Sequence, residues 1–302
     1  MFYPLNLSEQ SRFVLDIRLK ERKKTFMILC SALFSFPKER EKALRKRIFH
    51  RFCGRSAGAF IAHMPLFLLL CLLAAVRFPS IASASPWHPL AQGLEYAEFP
   101  IQAQDDALIV LRMNPVHVSF ELCTISDGLH APLSLAEWAK DKELDAAINA
   151  SMYLPDMRTS TGYLRQGETI NNARISPKFG AFFVANLKTP VVHEKESRRT
   201  TLPKATILER ETTNLSELLE KYTIVVQNYR LISSARKNLW PRSNKRHTIA
   251  AVALDGRGNI LFLHCHIPTV AHDLAEELLA LPLDIRTTMY VEGGSQAGQI
   301  GR

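Results

Sequence analysis

The chain has 302 residues, 38 Lys and Arg against 29 Asp and Glu, and a formal net charge of +9. It is 47% hydrophobic and 22% charged, with 13 Gly and 16 Pro, which excludes wholesale disorder, collagen and a long coiled coil. The charge is uneven: residues 1–56 hold 14 Lys/Arg and 5 Asp/Glu, whereas residues 85–302 hold 23 and 24, a balance of −1. The pI of 9.4 therefore does not mark a nucleic-acid-binding domain, because the part able to form a core is nearly neutral.

In the basic front end, Ser11–Lys24 reads as a basic amphipathic helix or as a solvated charge run. Ala57–Val76 is apolar, but its densest part, Leu66–Ala75, is short for a membrane span of ~20 apolar residues. Arg45, Lys46, Arg47, Arg51 and Arg55 precede it, and Ala82-Ser83-Ala84 follows. A basic region, an apolar run and an A-x-A site make a secretory signal peptide, so a periplasmic or secreted protein is expected. The alternative is an uncleaved anchor, and membrane contact is expected only through this segment. Residues 1–56 exceed an ordinary signal n-region. They read as a mis-called gene start, with Met27 and Met64 as later candidates, or as a basic cytoplasmic arm. The expected organisation is an extension over 1–56, a signal or anchor over 57–84 and one domain over 85–302.

In that domain, Ala107–Arg112 and Val116–Leu122 read as strands around an Asn114-Pro115 turn. Leu133–Ala147 has helical spacing, with Ser134 as N-cap and Glu137 completing a capping box. Ala147–Tyr153 reads as a strand end entering a loop, Gln166-Gly167 as a turn, and Phe179–Val184 as a strand. Lys188–Glu211 is polar and reads as surface chain; Asn214–Lys221 is a short helix capped by Asn214 or Ser216. Thr223–Gln227 is a β-branched strand, and Ser233–Lys245 a basic loop carrying Trp240. Thr248–Leu254 and Asn259–His266 form a hairpin about Asp255–Gly258, followed by an amphipathic helix over Val270–Leu281. Thr287–Val291 is a strand that runs into Glu292-Gly293-Gly294-Ser295. Strands outnumber helices, so the expected class is α+β: a mixed sheet with hairpins and a few helices in a single domain.

That last segment carries the strongest chemical signal. Glu292 at a strand end is placed as an acid or base, and the two glycines permit a tight turn and close approach to a ligand. Backbone N–H groups of a helix starting at Ser295 would favour an anion; the bland alternative is a simple turn. Asn149 sits where a strand enters a loop, as either a ligand or a turn cap. In Lys245-Arg246-His247, Arg246 suits bidentate phosphate binding and His247 titrates near neutrality, unless the stretch is only a solvated loop end. His264-Cys265-His266 puts two imidazoles on one strand face without a third ligand, so structural roles are expected and no metal. Cys123 and Cys265 are the cysteines of the exported part; one disulfide and two buried thiols are equally compatible with the sequence. There is no CxxC, G-x-S-x-G, P-loop or G-x-G-x-x-G, and no cofactor is expected.

Taken in order, these segments resemble the phosphodiester glycosidase family from about Gly93 to Gln299. The matching pieces are Asn149-Ala150-Ser151-Met152-Tyr153, the turn Thr161–Gly167, Gly180-Ala181-Phe182-Phe183, Gln227 at a strand end, Arg246 before the Asp255-Gly256 hairpin, and Glu292-Gly293-Gly294. Ser151 and Ala250 stand where the family commonly has Gly, and Ala181 where many bacterial relatives have Asn. Relatives usually continue through another strand, so a C-terminally truncated product is one expectation. The resemblance implies hydrolysis of a sugar-1-phosphodiester, or of a related glycosidic linkage in an envelope or extracellular polysaccharide. It assigns Glu292 as acid/base and Arg246 as phosphate clamp. Asn149 and Gln227 would position substrate, with Gly293, Gly294, Ser295 and His247 beside it; Asp156 is a weak second carboxylate. The expected partner is a carbohydrate or sugar phosphate. The alternative is a non-catalytic polysaccharide-binding or structural part of an exopolysaccharide export assembly.

Overall fold

The computed structural model describes residues 13–19, 85–124, 133–156, 158–188 and 202–301. The apolar segment at Ala57–Val76 and the Ala82-Ser83-Ala84 site lie outside the described residues. Among the described residues no helix is long and apolar enough to cross a membrane.

In chain order the strands are β1 (Phe13–Leu19), β2 (His88–Ala91), β3 (Leu94–Ile101), β4 (Gln104–Met113), β5 (Val118–Thr124), β6 (Ala146–Asn149), β7 (Leu164–Gln166) and β8 (Thr169–Asn172). They continue as β9 (Ala181–Leu187), β10 (Ala205–Glu209), β11 (Tyr222–Ile232), β12 (Arg246–Asp255), β13 (Ile260–Val270), β14 (Ile285–Gly293) and β15 (Gln299–Gly301). The helices are α1 (Leu135–Asp141), α2 (Leu215–Lys221) and α3 (Ala271–Ala280). A large sheet runs β10-β9-β11-β14-β12-β13-β4-β3-β2, with the β7–β8 hairpin joined to β11. A small sheet runs β15-β6-β1-β5.

The α+β class holds. Within it, the ladders among the described residues are antiparallel rather than mixed. The β12–β13 hairpin forms as its alternation predicts and extends to Arg246 and Val270. Three expectations change. Ser11–Lys24 contains a strand, not a helix: β1 pairs with β5 on one side and β6 on the other. The helix expected over Leu133–Ala147 stops at Asp141, because Glu143 takes a left-handed φ of 52° and the chain turns into β6. The polar stretch Lys188–Glu211 ends in β10, which pairs with β9. The capping box forms: Ser134 Oγ accepts from Glu137 N, and a Glu137 carboxylate oxygen accepts from Ser134 N at 2.7 Å.

Period-two burial sorts the core. Leu111, Phe120, Ile148, Phe183, Val252, Phe262 and Val291 fill the space between the two sheets. Ala251, Leu263 and Tyr290 point to the opposite face of the large sheet, where Leu274 and Leu278 of α3 cover them. Trp138 of α1 packs on Cys123 and Ala147, closing the small sheet from its own outer side. Trp138 is fully buried, so Trp138→Ala is expected to cost ~3–5 kcal/mol. A urea-unfolding midpoint that barely moves would contradict this packing.

Candidate functional site

Three strands fix one row of side chains. Ala250 of β12 stands opposite His264 of β13 and, on its other flank, opposite Glu292 of β14. Directly opposed residues share a sheet face. A bulge sets the second pairing: Ala251 opposes Tyr290 while Ala250 opposes Glu292, which leaves Val291 as the extra residue. Without it, alternation would send Glu292 to the outer face with Tyr290. With it, Glu292 joins Val291 and Ala250 on the inner face, and re-aiming a side chain is what bulges do beside functional sites.

Glu292 is 8% exposed. Gly293 N donates to its Oε1 at 2.9 Å, and no cation of the described residues offsets its charge. Burial pushes the carboxyl up to about 7, and the Gly293 hydrogen bond opposes part of that rise. Near neutral pH the group is thus available in both protonation states, as an acid or base requires.

The glycines that follow are needed for different reasons. A Cβ on Gly293 would lie 1.9 Å from the Tyr290 hydroxyl and 2.7 Å from the His247 ring. Gly294 has a φ of +76°, which disfavours any side chain. Its carbonyl accepts from Thr248 Oγ1, tying the turn to β12. The Tyr290 hydroxyl is 3.2 Å from His247 Nε2. Burial, then the Lys245 charge, holds the His247 imidazole below its usual range, while burial raises Tyr290 and keeps the phenol neutral. Tyr290 was not singled out in the sequence; its position two residues before Glu292 was the available signal. The helix expected after Gly294 is a three-residue 3-10 turn, Gly294–Gln296, so the helix-start anion site does not form. Ser295 on that turn is exposed.

Asn149 closes the site from the small sheet. It is 2% exposed, and its Oδ1 accepts from Gly298 N at 2.7 Å, joining the end of β6 to the segment after the glycines. Nearby, Asn228 donates to Ala150 O at 2.9 Å, and Ser151 Oγ lies 2.8 Å from Ser160 Oγ. Gln227 is fully buried and engaged with backbone. Its Nε2 donates to Ser176 O and Phe179 O, and its Oε1 accepts from Ser176 N and Tyr163 N. This side chain latches the 163–179 segment onto β11. Arg246 is exposed and donates to Gln102 Oε1 at 2.6 Å and Pro268 O at 2.9 Å, toward the end of the β12–β13 ladder. Asp156 is turned into its own loop, accepting from Arg158 N, Thr159 N and the Thr159 hydroxyl.

His264 is 2% exposed and His266 exposed, with ring centroids 6.3 Å apart. Among the described residues no group of three or more His, Cys, Asp or Glu is arranged to hold a metal. Cys265 is a buried free thiol on the helix-covered face, 3.4 Å from Thr269 Oγ1, and Cys123 is buried under Trp138. The disulfide between them does not form.

A buried carboxyl with no offsetting cation among the described residues stands at a strand end, followed by two glycines, at the edge of a two-sheet α+β domain. The phosphodiester glycosidase family model matches residues 142–300, more than half of the chain, and the chain belongs to that family. No curated protein matches it. Among solved structures, a hypothetical protein from Synechocystis aligns at 13% identity and TM-score 0.41, covering 73% of this chain and 60% of that one. The chain therefore spans less than two thirds of that protein's length. The zebrafish N-acetylglucosamine-1-phosphodiester alpha-N-acetylglucosaminidase catalytic domain, auto-inhibited by its pro-peptide, aligns at 11% identity and TM-score 0.44. That alignment covers 70% of this chain and 75% of that one.

Two outcomes are expected. Gly293→Ala must displace Tyr290 or His247, so it should lower the unfolding midpoint, while Gly167→Ala, with open space around it, should cost only its backbone strain. Equal losses would contradict the contact. For Glu292, the folded affinity near 7 lies above the ordinary 4.5. The folded state therefore holds more protons in that window, and stability falls as pH rises through it. This contribution is on the order of 3 kcal/mol. In urea titrations from pH 4 to 8, the wild type should lose stability relative to Glu292→Gln as pH rises. A flat difference curve would show that the carboxyl is not buried as described.

Proposed function

We propose that this domain hydrolyses a sugar-1-phosphodiester, or a related glycosidic linkage in an envelope or extracellular polysaccharide, with Glu292 as its acid/base. The reading is carried by the Glu292 carboxyl, buried without a cation on a bulged strand in a member of the phosphodiester glycosidase family. In its acid form Glu292 delivers a proton to the leaving oxygen as the bond to the anomeric carbon breaks; in its base form it takes a proton from the attacking water. His247, its ring held beside Gly293 by the Tyr290 hydroxyl, orients the substrate. Arg246 binds the phosphate by leaving Gln102, since its exposed guanidinium is held by one amide and one carbonyl rather than by a carboxylate. Asn149 holds the turn after Gly294, and Gln227 supports the site by latching a loop rather than by touching substrate. The apolar segment at Ala57–Val76 with Ala82-Ser83-Ala84 supports export to the periplasm or beyond, or attachment through an uncleaved anchor.

The test is hydrolysis of N-acetylglucosamine-1-phosphodiesters and a panel of chromogenic glycosides. It needs the full chain, because β1 lies between β5 and β6. Turnover is expected, with kcat falling on the order of 10²–10⁴-fold in Glu292→Gln. Arg246→Ala should lower kcat/KM by about 10²-fold on phosphodiesters and far less on neutral glycosides. A folded chain without turnover on any of these substrates would favour a polysaccharide-binding role. Equal turnover in Glu292→Gln would remove that residue from the chemistry.

A further inference from the structure

The segment between β11 and β12 carries a charge pattern unlike the rest of the domain. Residues 233–247 hold Arg236, Lys237, Arg242, Lys245 and Arg246, and no Asp or Glu. Residues 85–302 as a whole balance at −1, so these cations are a local excess. Ordinary surfaces intersperse both signs, and an uninterrupted basic run is either a solvated loop or a site for anions. How the loop is held, and what its charges already meet, separates the two.

The first half of the loop is fixed. Asn238 Nδ2 donates to His272 O at 3.0 Å and to Glu276 Oε1 at 2.7 Å, which ties the chain to α3. Arg236 donates to Ile285 O at 2.6 Å and to Leu279 O at 3.2 Å, so its guanidinium is engaged in closing this fold. Trp240 then packs on β14 and β11: its ring centroid lies 4.7 Å from that of Tyr290 and 5.6 Å from that of Tyr229. The Tyr290 hydroxyl meets His247 at the start of β12. Trp240 and His247 thus hold the stretch between them at both ends, through one tyrosine.

That stretch, residues 241–246, is exposed throughout. Arg246 is held by Gln102 and Pro268. Among the described residues, no hydrogen bond or ion pair engages the side chain of Arg242 or Lys245. Lys245 is near enough to His247 for its charge to act on the ring. Arg242 is separated from Arg246 by at most ~14 Å of extended chain. A substrate that runs on from the strand end at Glu292 has its next repeat within reach of both cations, on a stretch whose ends are already ordered.

We propose that Arg242 and Lys245 form an anion subsite beside the strand end, and that it takes an acidic group in the repeat next to the bond cleaved, so that the substrate is a polyanionic glycan. The proposal rests on the hydrolytic reading of Glu292 and narrows its substrate class. Phosphate and carboxylate groups share the chemistry that is recognised, an anion meeting a guanidinium and an ammonium. A nucleic-acid strand fits less well. Single-strand binders pair their cations with aromatic rings on which bases stack, and the aromatic of this loop is already packed on Tyr290 and Tyr229. A membrane surface asks for a larger apolar face than Leu239, the loop's exposed large hydrophobic, supplies.

The test is titration of the full chain with phosphorylated dextran oligosaccharides, oligogalacturonate and unmodified dextran fragments of matched length. Residues 1–56 are also basic, so the arbiter is the difference between variants rather than the affinity itself. Arg242→Gln/Lys245→Gln should weaken binding of the anionic glycans about tenfold, as loss of a charge-assisted hydrogen bond does, and leave the dextran isotherm unchanged. Arg257→Gln/Arg286→Gln removes the same charge from exposed positions at the far end of β12, where Asp255 pairs with Ile285, and should change neither. A loss confined to the phosphorylated or to the carboxylated glycan supports the subsite and identifies its acidic group. No weakening in the first variant, or equal weakening in the second, overturns it. An RNA oligonucleotide or phosphatidylglycerol vesicles that lose more affinity than the glycans in the first variant also overturn it, and assign the loop to that partner. None of these readouts needs turnover. Anion binding that depends on Arg242 and Lys245 without hydrolysis would leave the subsite standing and remove the hydrolytic reading; turnover lost in Glu292→Gln but indifferent to both cations would do the reverse.

Discussion

The register of β12 between β13 and β14 is the constraint on which the site depends. It makes Ala250 the shared neighbour of His264 and Glu292, and the bulge at Val291 turns the carboxyl inward. A slip of one residue would exchange the faces of every side chain on the strand. The inner face is apolar from Leu111 through Phe262 to Val291, so the core itself enforces the register. The Glu292 carboxyl is placed by the same hydrophobic burial that closes the two sheets.

The two faces of β14 then do different work. Glu292 looks into the space between the sheets, where burial raises its proton affinity. Tyr290 looks the other way, toward His247 and Trp240, whose ring centroid lies 4.7 Å from its own. Gly293 is the pivot, because its bare Cα is what lets the Tyr290 hydroxyl and the His247 ring close on the strand end. Asn149 completes the arrangement from the small sheet by holding Gly298, so the loop after the glycines is tied to both sheets, at Thr248 and at Asn149.

Much of this was legible in the residues, and what was not has physical reasons. The β12–β13 hairpin alternates over both strands around an Asp-Gly turn, and the capping box at Ser134 and Glu137 is a local signal; both formed as read. Local signals failed where tertiary pairing decided. Leu94–Ile101 carries a proline and two glutamates, yet it becomes β3 because β4 offers a long partner. Phe13–Leu19 holds one Asp and one Arg within a basic stretch, yet it fills the gap between β5 and β6. The bulge at Val291 is invisible in one strand's sequence, since it exists only as a mismatch against β12. Gln227 shows the same limit at the site: an amide at a strand end reads equally well as ligand or latch, and only its four backbone partners distinguish them.

The polar groups of the site fall into two classes by how fully they are satisfied. Gln227, Asn149 and Asn228 each bond to backbone, and such buried amides tie a loop to a sheet edge. Glu292 and His264 are the exceptions: Glu292 accepts one hydrogen bond, from Gly293 N, and the buried His264 Nδ1 has no partner. A fold that merely needed packing would be better served by Val or Leu at both positions, because an unpaired buried polar group costs free energy and an apolar one contributes it. Their place in one row, with Glu292 on the bulged strand that ends in the glycine pair and His264 two strands away, is intelligible if the cost is met by a function that needs a carboxyl of raised proton affinity at the edge of the sheet.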